Sequence, residues 1–134
     1  MKEGDFGSMS VLVVDDEAFS QRLVIEVLGG LGINNVIVAE NGEQAIEIMK
    51  TAAVFFDLVI SDIEMPEMEG FELARRIRYG VVPRYKDIPI LMLTGHSTKE
   101  NVMRGRMHRI QGFIAKPPNR EALRRHIERA FKPE

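Results

Sequence analysis

Three consecutive carboxylates, Asp15, Asp16 and Glu17, follow directly on the apolar run Val11-Leu12-Val13-Val14. Such a run reads as a buried strand. The chain therefore sets concentrated negative charge at the mouth of its own core. Asp62 ends a second apolar run in LVISDIEMPEMEG, Thr94 ends a third in ILMLTG, and Lys116 ends a fourth in FIAKPP. If these ends share one crevice, the carboxylates repel: two unit charges about 4 Å apart cost roughly 4 kcal/mol at an effective dielectric near 20. Either one carboxylate takes a proton or a cation sits among them. An oxygen-only donor set, with no cysteine in the chain and no histidine nearby in sequence, suits Mg2+. Asp62 can then act as a nucleophile and form an acyl phosphate. Mg2+ would bridge it to the phosphoryl oxygens, Thr94 would donate its hydroxyl to one of them, and Lys116 would ion-pair with another.

Short β-branched runs alternating with amphipathic stretches supply the elements that would position these groups. Strands are expected at Val11–Val14, Val36–Ala39, Leu58–Ser61, within Ile88–Leu93, and at Gly112–Ala115. Helices are expected at Glu17–Leu28, from Glu43 to about Lys50, from Phe71 to about Arg78, and roughly from Thr98 to Met107. A last helix, capped by Asn119, bears Leu123, Ile127, Ala130 and Phe131. Glycines 29, 30 and 32 break the first helix, and Pro117-Pro118 stop the last strand. Strict strand–helix alternation implies an α/β fold, a doubly wound parallel sheet with helices on both faces. In the flavodoxin-like order 2-1-3-4-5, strands one and three are neighbours, so Asp15, Asp16 and Asp62 converge at the carboxyl end of the sheet.

The bulk properties narrow the setting. A chain of 134 residues favours one domain. Residues 1–8 read as a disordered leader and 9–134 as the domain. A net charge of −2 gives no electrostatic case for direct nucleic-acid binding. No apolar run approaches membrane-spanning length, and MKEGDFGSMS lacks the apolar core of a signal peptide. A cytoplasmic location is expected by default.

Five ordered pieces, VLVVDDE, AENGEQAIE, FDLVISDIEMPEMEGFELARRIR, IPILMLTGHS and GFIAKPPN, together resemble the receiver domain of bacterial two-component response regulators, of the chemotaxis-regulator kind. The resemblance spans about Met9 to Phe131. It implies that Asp62 is the phosphoacceptor, supplied by a histidine kinase or phosphotransfer protein, and that a downstream effector or output domain reads the result. It implies Asp16 as the main side-chain Mg2+ ligand, Asp15 helping through water, and the backbone carbonyl of Glu64 completing the protein's share. Thr94 would be the switch hydroxyl, Lys116 the phosphate-binding lysine, and Phe113 the aromatic that reports phosphorylation. A cis Lys116-Pro117 bond is implied as well, as is a changed surface over helix four, strand five and helix five, through which a homodimer could form. The chain departs from the family at Gly95, where many members have Ala after the threonine, and at Arg109, where a glycine often ends the fourth helix. Glu64 and His96 fill two variable positions flanking the site.

Each residue also has a plainer reading. The acidic triplet could cap a helix, Asp62 could open a solvent-exposed turn, Thr94 could be an N-cap, Phe113 could be core, and Lys116 could be an ordinary surface lysine. Two rival functions are a phosphohydrolase of the haloacid dehalogenase type and a non-phosphorylated receiver-like binding module. The first should carry D-x-D at its first strand, and the second should have lost an acid, the threonine or the lysine. This chain has Asp15-Asp16 and all the named groups.

Overall fold

The structure, a computed structural model, describes residues 5–95 and 99–132. Five parallel strands, β1 (Ser10–Val14), β2 (Asn35–Ala39), β3 (Leu58–Asp62), β4 (Ile90–Thr94) and β5 (Gly112–Ala115), pair in the order β2-β1-β3-β4-β5. The helices are α1 (Ala18–Gly30), α2 (Gly42–Thr51), α3 (Gly70–Arg78), α4 (Lys99–Met107) and α5 (Arg120–Ala130). The expected topology is the observed one.

Alternation along each strand sorts the core into two layers. Leu12, Val14, Val59, Ile90 and Met92 pack with Ala45, Ile46 and Met49 of α2 and Phe71, Leu73, Ala74 and Ile77 of α3. Val11, Val13, Leu58, Ile60, Leu91, Leu93 and Ile114 pack with Val24 and Leu28 of α1 and Leu123 and Ile127 of α5. The central strands β1, β3 and β4 are buried on both faces, which is why they read as unbroken apolar runs. The side chains of Asn41 and Asn119 accept from the backbone N–H of Gln44 and Ala122, capping α2 and α5.

Two local readings need correction. Residues 5–8, expected within a disordered leader, form a 3-10 turn, and Phe6 is only 4% exposed in the layer beneath α1 and α5; one aromatic ring is enough to anchor so short a segment. The first helix runs through Gly29 and Gly30, and the break falls at Gly32 with φ +88°. Thr94 is the last residue of β4, and the described part of α4 begins at Lys99.

Arg109 adopts φ +54°, the conformation a glycine would take at no cost. Here α4 closes with the Ile110 N–H donating to Gly105 O. The turn is held from below by Arg78, a buried cation with no carboxylate partner among the described contacts. Its guanidinium donates to the carbonyls of Lys86, Ile88, His108 and Arg109 and to Gln111 Oε1. Burial, then the charge of Arg109, pulls its pKa down to about 10, which leaves it charged at neutral pH. One side chain thus ties the end of α3 to the entry of β4 and to the α4–β5 turn. Arg78→Met should strand those acceptors and cost about 2–4 kcal/mol in urea unfolding. Arg78→Lys should recover only part, because an ammonium has three donors and no fork. A loss below about 1 kcal/mol for Arg78→Met would contradict this role.

Candidate functional site

The carboxyl ends of β1, β3 and β5 bring Asp15, Asp16, Asp62 and Lys116 together. Oxygens of the three aspartates all lie within 4.8 Å of one another. Asp15 and Asp62 are buried and Asp16 is exposed. Lys116 Nζ donates to Asp62 Oδ2 at 2.8 Å and stands 4.0 Å from Asp15 Oδ2. A cavity of about 350 Å³ opens over the group, lined by Asp16, Glu17, Asp62, Glu64, Gly95 and Lys116.

Local backbone fixes each side chain. Asp15 continues from β1, its N–H donating to Ala39 O at 3.0 Å. Its Oδ1 accepts from the Glu17 N–H at 3.0 Å, and its Oδ2 accepts from the Ser20 hydroxyl. Asp62 is the last residue of β3. The Glu64 N–H reaches its Oδ1 at 3.3 Å, a long and weak bond. Gly70 lies so close that a Cβ there would fall 2.3 Å from the Asp62 carbonyl oxygen. Only glycine allows the β3–α3 loop to fold back, which it does through the Gly70 N–H donating to Ile63 O at 2.8 Å. Lys116 is aligned by its N–H donating to Thr94 O at 2.9 Å, and Lys116-Pro117 is cis.

The charges are unequally held. Burial raises the pKa of Asp62, and the Asp15 charge adds to this, against the lowering from the Lys116 hydrogen bond and charge. Burial pulls Lys116 down, but its bond to Asp62 and the charges of Asp62, Asp15 and Glu17 outweigh it and raise its pKa. The lysine stays cationic, and Asp62, although paired with it, keeps a pKa above the ordinary carboxylate range because of its burial. Three crowded carboxylates against one ammonium leave negative charge unbalanced. The donor set is all oxygen, which fits a hard divalent cation.

The remaining expected residues fall nearby. Thr94 is buried at the end of β4, and its neighbour Gly95 lines the cavity. Glu64 is exposed at the rim. His96 lies outside the described residues. Phe113 is half-buried on the α3 side of the sheet, its ring 6.2 Å from that of Phe71 and against Gly105, where a Cβ would come within 2.5 Å of Phe113 Cζ. Sequence reasoning passed over Ser20, Gly70 and an ion pair between Arg104 of α4 and Glu69 of the β3–α3 loop, with the Arg104 guanidinium 4.3 Å above the Phe71 ring. Ser20 could have been suspected from its place one turn after the acidic pair. The Glu69–Arg104 pair, 35 residues apart, leaves no local signal.

Comparison with known proteins defines the class. The family model of the response regulator receiver domain matches residues 11–128. The chain belongs to the response regulator receiver family, the switch modules of two-component signalling. It is 31% identical over 125 residues to chemotaxis protein CheY-3 of Vibrio cholerae, covering 93% of each chain. It is 29% identical to chemotaxis protein CheY of Pseudomonas aeruginosa, covering 92% of this chain and 97% of that one. The solved structure of CheY4 of Vibrio cholerae superposes with a TM-score of 0.82 at 34% identity, over 92% of this chain and all of the other.

Gly70→Ala tests the packing of the site. The added methyl must push the Asp62 backbone aside, so a loss of about 2–4 kcal/mol is expected in denaturant titration. A Gly70→Ala protein as stable as wild type would show that the loop has room to spare.

Proposed function

We propose that residues 9–134 form a phosphorylation-controlled switch in which Asp62 accepts a phosphoryl group. The observation that carries this is Lys116 Nζ at 2.8 Å from Asp62 Oδ2 on the floor of an open cavity with two further aspartates. A carboxylate oxygen of Asp62 attacks phosphorus, the new O–P bond forms, and the bond to the donor group breaks. The donor is the phosphoimidazole of a histidine kinase or phosphotransfer protein, or a small acyl phosphate. Asp16 and Asp62 side chains and the Glu64 carbonyl would hold Mg2+, with Asp15 adding charge behind them. Bound there, the ion supplies charge neutralisation for the phosphoryl oxygens. Lys116 keeps one oxygen of the transferring group paired, and burial of Asp62 limits competing water. The protein is the acceptor of this reaction and assists it, rather than turning over a separate substrate. Membership of the receiver family favours this over phosphohydrolysis.

Switching follows from the same charges. Phosphorylation replaces one negative charge with about two. Lys116 already bonds Asp62, so it exchanges one anionic oxygen for another. Thr94 would donate its hydroxyl to a phosphoryl oxygen in the phosphorylated state. A charge-assisted bond worth roughly 1.5–3 kcal/mol shifts a two-state ratio about ten- to a hundredfold. Full reversal from about 1:99 to 99:1 needs about 5.5 kcal/mol, so the metal and a binding partner must supply the rest. Phe113, packed on Phe71, is the side chain through which this change would reach α4 and a downstream effector. A cytoplasmic location belongs to the same proposal. No described helix is long and apolar enough to cross a membrane.

Incubation with acetyl phosphate and MgCl2 should add one phosphoryl group by intact mass, and Asp62→Asn should abolish the addition. Undiminished labelling of the Asp62→Asn protein would place the acceptor elsewhere.

A further inference from the structure

Asp15 is clamped by the start of the helix that follows it. It has no solvent exposure, so its oxygens must find partners inside the protein. The Glu17 N–H takes Oδ1 and the Ser20 hydroxyl takes Oδ2. The Gln21 side-chain amide donates to the Asp15 carbonyl at 2.7 Å, fixing the backbone too. Asp16, by contrast, is exposed on the cavity wall and can turn. Lys116, 4.0 Å from Asp15 Oδ2, is beyond hydrogen-bond reach and is committed to Asp62.

A Mg2+ ion demands ligands at about 2.0–2.1 Å in near-octahedral array. Asp16 can meet that demand by rotation. Asp15, enclosed and already accepting from Glu17 and Ser20, can meet it only by turning away from one of those donors or by sharing an oxygen between donor and ion. We propose that Ser20 is a positioning residue of the site: its hydroxyl holds Asp15 back as an anion that acts on Mg2+ through water, and so weakens the affinity for the ion. The proposal rests on the Mg2+ reading given under Proposed function. Its physical content is a competition for one oxygen. With the hydroxyl present, Asp15 Oδ2 already has a donor and is held in place by it. Without it, a buried carboxylate oxygen loses its donor, and the strongest partner available is the ion. A weaker hold on Mg2+ would keep the site in exchange with the metal pool between rounds of phosphorylation. Serine is otherwise an indifferent choice inside a helix, since it competes with the helix backbone for hydrogen bonds.

The test is calorimetric titration with MgCl2 of wild type, Ser20→Ala and Ser20→Thr, with melting curves of each protein with and without the salt. Ser20→Ala should bind Mg2+ about three- to tenfold more tightly, the loss of one competing hydrogen bond. Its Tm should rise more on adding MgCl2 than that of wild type. Ser20→Thr keeps the hydroxyl and should stay within about twofold of wild type, a difference small on the scale of one hydrogen bond. An unchanged or weakened affinity in Ser20→Ala would overturn the proposal, as would an equal fall in Tm with and without MgCl2. If wild type itself takes up no Mg2+, the metal reading fails and Ser20 with it. If wild type binds and Ser20→Ala is indistinguishable from it, the Ser20 inference alone is lost.

Discussion

Crowding of like charge at one end of the sheet is the constraint on which the rest of the structure depends. Three carboxylates with oxygens within 4.8 Å of one another repel by about 3–4 kcal/mol per pair at an effective dielectric near 20. That is a sizeable part of the roughly 5–15 kcal/mol that typically holds a whole domain together. One lysine offsets part of it. The remainder is borne by a scaffold that holds Asp15 and Asp62 in place, while exposed Asp16 is free to turn. Asp15 and Asp62 extend from adjacent strands buried on both faces, and each is anchored by backbone hydrogen bonds. The strain favours a cation among the carboxylates, because opposite charge relieves it.

The loops beyond the strands convert that local tension into something the surface can feel. The segment after Asp62 is pinned by buried Met65 and Met68, Met68 lying over Gly42 at the start of α2. Its last residue before α3, Glu69, pairs with Arg104 of α4 across the Phe71 ring. Phe71 in turn touches Phe113 of β5 and His108 at the α4–β5 turn. Arg78 holds the same turn from beneath. A displacement of the loop at Asp62 therefore meets α4 through an ion pair and a ring stack, while the base of α4 stays fixed.

Much of this was legible in the sequence, for physical reasons. Strands buried on both faces leave unbroken apolar runs, and the residue ending each run marks the functional edge of the sheet. Asp15, Asp62, Thr94 and Lys116 could be picked out in that way before any coordinates were known. The asparagine cap at 119 was equally local. What escaped were contacts made by tertiary packing. Phe6 looked like part of a leader because polar and small residues surround it and its partner layer is distant in sequence. The glycines at 29 and 30 looked like breakers, but packing of Leu28 carried the helix past them. Nothing local in ARRIR sets Arg78 apart from Arg75 and Arg76. Only the fold reveals that it alone of the three faces inward. For Ser20 the only local signal was its spacing, one turn after the acidic pair.

The central claim is that the acidic cluster costs the metal-free protein stability and that a cation repays it. Thermal unfolding of Asp16→Asn in EDTA and in MgCl2, beside wild type, tests it directly. Removing one charge from the cluster should raise the Tm in EDTA and erase most of the further rise that MgCl2 gives wild type. A variant that melts lower than wild type in EDTA yet keeps the full Mg2+ response would contradict the account.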